Sequence, residues 1–180
     1  MLFRSVSRSL KSLTSETVVL TQLEIPAEAA GAAMAHGREN GALTILNPAP
    51  ARILPDPVLQ LVDVLTPNQS EAKVLTGLGP DAAVAPETVA RELICRGVKQ
   101  VVMTLGEKGA LVMTANSSLH IPAIKVSAED TTGAGDAFNG GLAVALSRGA
   151  SLEDAARFAV VTGGLAVTRE GVVPSLPTRD

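Results

Sequence analysis

The stretch DTTGAGDAFNGG, Asp130–Gly141, places an acid, Asp136, directly behind Gly133, Ala134 and Gly135 and ahead of an apolar run. Residues with little or no side chain can turn their N–H groups into one concavity. At a helix N-terminus such a concavity attracts anions, phosphate above all. A carboxylate that served only for binding would repel that ligand. A general base must stand beside the transferred group, where it can take a proton from an attacking hydroxyl. The spacing therefore suggests phosphoryl transfer with Asp136 as base. Alone it is weak: Asp136 could merely cap the helix, and the glycines could merely permit a tight turn. It is not a Walker A loop, because no Lys-Ser or Lys-Thr follows the glycines, and it is not a full G-x-G-x-x-G.

Two further stretches point the same way. TPNQSEAKVLTG carries Asn68 and Glu71 three residues apart, on one face of a helical turn that follows a strand-like run. TLGEKG sets Thr104, Gly106 and Gly109 after another strand-like run. In open α/β sheets, ligands bind beyond the carboxyl ends of the strands. One sheet edge is expected to gather Asn68, Gly106 and Gly135.

Strand-like and helix-like blocks alternate from Val18 onward, and these blocks must position the three stretches. The expected strands are TVVLTQLE, ALTILN, LVDVLTPN, KQVVMTLG, GALVMTA and SSLHIPAI. The expected helices are PAEAAGAAMAHGREN, with Pro26 in the first turn and Asn40-Gly41 at the end, SEAKVLTG stopped by Gly77, and PETVARELICRG opened by Pro86 and closed by Gly97. Two more follow the glycine turn, the second opened by a Ser151–Asp154 capping box. NPAPARILPDP is too rich in proline for either element and reads as a loop. This order implies an α/β fold, a mainly parallel sheet sandwiched by helices.

Composition limits the alternatives. A net charge of −3 and three aromatic residues, all Phe, exclude a basic or base-stacking footprint for nucleic acid. No apolar run reaches the length of a membrane span. Cys95 is the single cysteine; it reads as a buried apolar residue in a reducing, cytoplasmic setting. His36 and His120 lack metal-ligand spacing. Residues 1–17 stand apart, with Arg4, Arg8, Lys11, five serines and no acid before Glu16. That composition is similar to a mitochondrial transit peptide, but a short amphipathic or frayed terminus with no address is the preferred reading.

Taken together, the three stretches resemble the ribokinase-like (PfkB-type) carbohydrate kinases over about residues 18–180. DTTGAGDAFNGG is similar to the family's second signature, TPNQSEA to its Asn-x-x-Glu motif, and TLGEKG to its nucleotide loop. QLEIP and NPAPA resemble the members that act on ribose. The resemblance implies that Asp136 deprotonates the sugar hydroxyl and that Gly133, Ala134 and Gly135 form the anion hole. It implies that Asn68 touches the phosphates of ATP, that Glu71 helps to place Mg2+, and that Thr104, Leu105, Gly106, Glu107, Lys108 and Gly109 border the nucleotide. Glu24 would reach toward the sugar. A K+ ion beside the anion hole would take Asp130, Thr132, Ala166, Arg169, Gly171 and Ser175, mostly through carbonyls. The bland readings stay open: Glu71 as a solvated helix acid, Glu24 as a surface acid, Asp130 as a turn residue and Ser175 as a loop serine.

The implied function is ATP-dependent phosphorylation of D-ribose to ribose 5-phosphate, with a small-molecule sugar and ATP as partners, neither nucleic acid nor membrane, and scope for a homodimer. Family members run to roughly 300 residues, the range of one large α/β domain. The chain therefore reads as the C-terminal portion of such a protein, truncated at the N-terminus. The first strands, the small β lid and the Gly-Gly sugar signature would be missing, and activity impaired. The alternatives are a non-catalytic nucleotide-binding remnant or a relative acting on fructose or a nucleoside. Val160 stands where family members often carry a polar residue near the adenine.

Overall fold

The computed structural model describes residues 13–178. Six strands form one sheet in the order β1-β2-β3-β4-β5-β6. They are β1 (Val18–Gln22), β2 (Leu43–Asn47), β3 (Val64–Leu65), β4 (Gln100–Thr104), β5 (Ala110–Thr114) and β6 (Ser118–Ile121). The pairs β1–β2, β2–β3 and β3–β4 are parallel, with Val18 opposite Leu43, Ile45 opposite Val64 and Val64 opposite Gln100. The last three strands follow one another through residues 105–109 and 115–117. Connections that short join only antiparallel neighbours. The sheet is therefore mixed and mostly parallel. Its central strands are almost wholly apolar: Ile45, Leu46, Val64, Leu65, Val101, Val102 and Met103 are fully buried. That is the composition of parallel strands covered by other elements.

The chain divides into two compact units. The first runs to Thr104 and takes in Leu111–Leu119; the second comprises Leu105–Ala110 and everything from His120 onward. In the first unit, helix α1 (Ala27–Glu39) packs on β1 and β2 through Ala29, Ala30, Ala33 and Met34. Small residues permit the close approach: a Cβ on Gly37 would lie 2.9 Å from the Val19 side chain. Helix α1 closes at Asn40, and Gly41 follows with φ +77°. Leu13 packs against Val19, Ala33 and Ala42. The expected start features before it lie outside the described residues. Helix α2 (Asp56–Leu59) is a single turn that starts on Asp56 and Pro57, the last two residues of the stretch expected to be all loop. Pro57 sits in its first turn, where a missing N–H costs nothing. Helices α3 (Gln69–Leu75) and α4 (Pro86–Cys95) follow. Cys95, expected to be buried, is exposed: α4 turns Val89, Ala90 and Leu93 inward, and position 95 falls on the opposite side.

Two polar clusters tie this unit together. Asp63, just ahead of β3, accepts from the Thr44 N–H at 2.9 Å and the Thr44 hydroxyl at 2.9 Å, and Lys99 Nζ lies 2.6 Å from its other oxygen. Arg96 donates to Asp56 Oδ1 at 2.8 Å, Leu75 O at 2.6 Å and Leu54 O at 2.7 Å. The stretch 54–56 and the end of α3 are thereby joined through one guanidinium.

In the second unit, helices α5 (Ala134–Ser147) and α6 (Leu152–Ala166) pack along each other. Gly141 lies under Thr162, whose hydroxyl would be 2.3 Å from an added Cβ. Ser151 caps α6, accepting from the Asp154 N–H at 3.1 Å, while its hydroxyl donates to Asp154 Oδ2 at 2.7 Å; this is one half of the expected capping box. A one-turn helix α7 (Val172–Ser175) closes the described chain where only a loop was expected.

Candidate functional site

The glycine turn behaves as its composition dictates. Gly133 takes φ +79° and is itself the N-cap of α5, so Asp136 lies within the helix's first turn rather than capping it. A left-handed residue there would strain any side chain, and a Cβ would also meet Val172 Cγ1 at 2.8 Å. The first-turn N–H groups of a helix have no acceptor within the helix, and their dipoles favour an anion. Gly135 and Asp136 are exposed at this end. Asp136 is therefore a first-turn residue and not the N-cap.

Asp130 ties the same turn to the α6–α7 segment. Its Oδ1 accepts from the Thr132 N–H at 2.9 Å and its Oδ2 from the Gly171 N–H at 3.1 Å. The Thr132 hydroxyl and the two N–H groups hold this carboxyl below its ordinary value. Both Glu129 N–H and Asp130 N–H donate to Val167 O. Ser175 is buried and donates to Val172 O at 2.9 Å. The two segments expected to supply a monovalent cation with carbonyls are thus joined by the one acid of that set. This donor chemistry suits K+. Val160 is buried on α6, while Ala166, also buried, ends that helix and Arg169 is exposed beyond it.

The stretch expected to border a nucleotide, Thr104 to Gly109, contains a turn of 3-10 helix, Gly106–Lys108, exposed at each residue. Leu105 N–H donates to Gly109 O at 2.8 Å, and Gly109 adopts φ +95°. A Cβ at Gly109 would lie 2.0 Å from Ile121 O, so only glycine fits there. His120 shares a hydrogen bond with Lys108 O at 2.7 Å, a contact that no spacing in the sequence announces.

In the first unit, Asn68 and Glu71 form a reciprocal capping box on α3. Glu71 N–H donates to Asn68 Oδ1 at 2.8 Å, and Asn68 N–H donates to Glu71 Oε2 at 2.8 Å. Capping engages one oxygen of each side chain, leaving Asn68 Nδ2 and Glu71 Oε1 for other work. Glu71 is half-buried. Burial pushes its carboxyl up, and the Asn68 N–H offsets this only in part. It is not a plain solvated acid. Thr104 pairs with Asn68 in an isolated parallel bridge, and its N–H donates to Pro67 O at 2.9 Å. Among the described residues, no group of three or more His, Cys, Asp or Glu is placed to hold a metal ion. A Mg2+ ion carried on nucleotide phosphates needs only one or two protein carboxylates, and Glu71 meets that requirement.

Glu24 is exposed just beyond β1. Arg52, which the sequence reading passed over although it directly follows NPAPA, donates to Leu23 O at 2.7 Å and Ile25 O at 2.9 Å. Leu23 N–H donates to Ala49 O at 3.0 Å.

A mostly parallel sheet covered by helices, with a left-handed glycine turn and an acid in the helix turn that follows it, defines an open α/β protein. The chain belongs to the pfkB family of carbohydrate kinases, whose model matches residues 8–179. It is 38% identical over 177 residues to a ribokinase of Haemophilus influenzae, covering 97% of this chain and 57% of that protein. It is 36% identical over 174 residues to a deoxyribokinase of Salmonella typhi, covering 96% and 57%. The structure of Arabidopsis thaliana ribokinase complexed with ribose and ATP superposes with a TM-score of 0.83 at 32% identity, covering 90% of this chain and 53% of that one. The chain spans about half the length of the relatives it matches.

Proposed function

We propose that the protein carrying this chain transfers the terminal phosphoryl group of ATP to a hydroxyl of D-ribose, giving ribose 5-phosphate and ADP. The observation that carries this reading is the left-handed Gly133 cap of α5, with Asp136 in the helix's first turn. In this reading Asp136 takes the proton of the sugar hydroxyl as the new O–P bond forms and the bond to ADP breaks. The N–H groups of Gly133, Ala134 and Gly135 stabilise the charge on the transferring group. Asn68 holds nucleotide phosphates, and Thr104 to Gly109 with Val160 border the nucleotide. Glu24 contacts the sugar. Glu71 would hold Mg2+, which supplies charge neutralisation. Asp130, Thr132, Ala166, Arg169, Gly171 and Ser175 would hold K+, which supplies a positive field beside the anion hole. Among the described residues no helix is long and apolar enough to cross a membrane, and a cytoplasmic setting belongs to this proposal.

A second reading has a specific support: the deoxyribokinase relative is nearly as similar as the ribokinase. Competing measurements of ADP release with ribose, 2-deoxyribose, fructose and a nucleoside separate the substrates. Ribose is expected to give the highest kcat/KM. A higher value for another acceptor would replace ribose, and no acceptor-dependent release from the protein that carries this chain would leave a nucleotide-binding remnant.

A further inference from the structure

We infer that Arg52 is a positioning residue for the sugar contact made by Glu24, an inference that rests on the proposed role of Glu24. One terminal nitrogen of the guanidinium donates to the carbonyls of Leu23 and Ile25, at 2.7 and 2.9 Å. Those carbonyls belong to the residues on either side of Glu24. Two fixed acceptors flanking one residue restrict the backbone at that residue, and the side chain it carries leaves from a fixed point. Leu23 supports this from the other direction. It is buried, and its N–H donates to Ala49 O at 3.0 Å, three residues ahead of Arg52. The loop after β1 is therefore held to the loop after β2 at both of its polar faces. Glu24 itself remains exposed.

The residue type matters. Hydrogen bonds from a charged donor are stronger than neutral ones, and a guanidinium presents its N–H groups in a fixed plane. An ammonium can reach the same carbonyls but without that planar fork. The bond to Ile25 O is exposed, the bond to Leu23 O is part-buried, and neither is a rung of the sheet, so losing them should loosen the path of residues 23–25 and leave the sheet intact.

The test uses the protein that carries this chain, labelled with 15N. D-ribose is titrated while the amide signals of residues 23–25 are followed, and ATP is titrated while Gly135 is followed. In the unsubstituted chain, the 23–25 signals are expected to move with ribose. Arg52→Ala should weaken the ribose affinity by about tenfold or more, with the Gly135 response to ATP unchanged. Arg52→Lys should recover part of the loss. If Arg52→Ala does not fold, Arg52→Lys against the unsubstituted chain carries the comparison, with a drop of a few-fold expected. Ribose affinity within twofold of the unsubstituted chain in the folded variant would overturn the positioning role and leave the Glu24 contact standing. No ribose response at residues 23–25 of the unsubstituted chain would overturn the Glu24 contact and this inference with it.

Discussion

At the scale of single residues, the candidate site separates side chains that hold the fold from those left over for chemistry. Asp136 lies in the first turn of α5, and Asn is close to Asp in size and suits a helix start as well, so Asp136→Asn should change the melting temperature little. In the protein that carries this chain, ribose-dependent ADP release should nevertheless fall by roughly 10³ or more if the carboxylate acts as base. Near-normal turnover in that variant would remove the base assignment. Glu71 offers a second separation. Gln can accept the Asn68 N–H as Glu71 does, and it escapes the burial that pushes the carboxyl up. A folded-state pKa above the unfolded value means that the ionised form destabilises the fold at neutral pH. Glu71→Gln should therefore keep or raise the melting temperature while weakening the Mg2+ dependence of ATP binding. An unchanged Mg2+ dependence would reduce Glu71 to a cap. The types and spacing of Asp136, Asn68 and Glu71 were legible in the sequence because each lies within a short local motif. Arg52, His120 and Val172 were not, because their partners are 27 to 29, 12 and 39 residues away along the chain.

At the scale of elements, strands and long helices were legible because apolar runs and periodicity set them. The one-turn helices α2 and α7 were not, since a single turn has no period to read and proline suits both loop and first turn. Cys95 was misread because a helix's inward face depends on what the helix packs against. The Asp63 cluster was also invisible, joining positions 44, 63 and 99. Burial pushes the Asp63 carboxyl up, but Lys99 and Thr44 outweigh it, and the net shift is downward. A lowered folded-state pKa contributes stability that is fully present above the unfolded value, about 3.9. That stability is lost as pH falls through the folded-state pKa. Chemical denaturation from pH 7 down through the acid range should show a loss that Asp63→Asn flattens. The variant should also be less stable at pH 7 by about 1–3 kcal/mol, as expected for a buried charged hydrogen-bonded group. A parallel acid dependence in the variant would assign the loss to other carboxylates.

At the scale of the whole molecule, the chain matches 57% of the length of the Haemophilus ribokinase. Phosphoryl transfer depends on holding both partners in register. The 180-residue chain on its own is expected to bind ATP weakly and to release little ADP in response to ribose. Among the described residues, strand β1 lies at one end of the sheet order, with Leu20 exposed on it and Ile25 exposed just beyond. An open edge with apolar neighbours favours self-association, so light scattering should report a mass above the monomer's 18.4 kDa. A monomer that phosphorylates ribose at an ordinary kinase rate would overturn this expectation.

The packing of Val172 against Gly133 carries an evolutionary consequence. Gly133→Ala suffers twice, from its left-handed backbone, which costs about 1–2 kcal/mol, and from the contact with Val172 at 2.8 Å. Val172→Ala removes only the second penalty. The two substitutions should therefore show epistasis. Measured by denaturation, Gly133→Ala should cost less in a Val172→Ala background than alone, yet still cost something. Strict additivity would mean that Val172 simply turns aside. If the epistasis holds, drift at position 172 alters what position 133 tolerates. A substitution far along the chain would then set how freely the glycine turn can change.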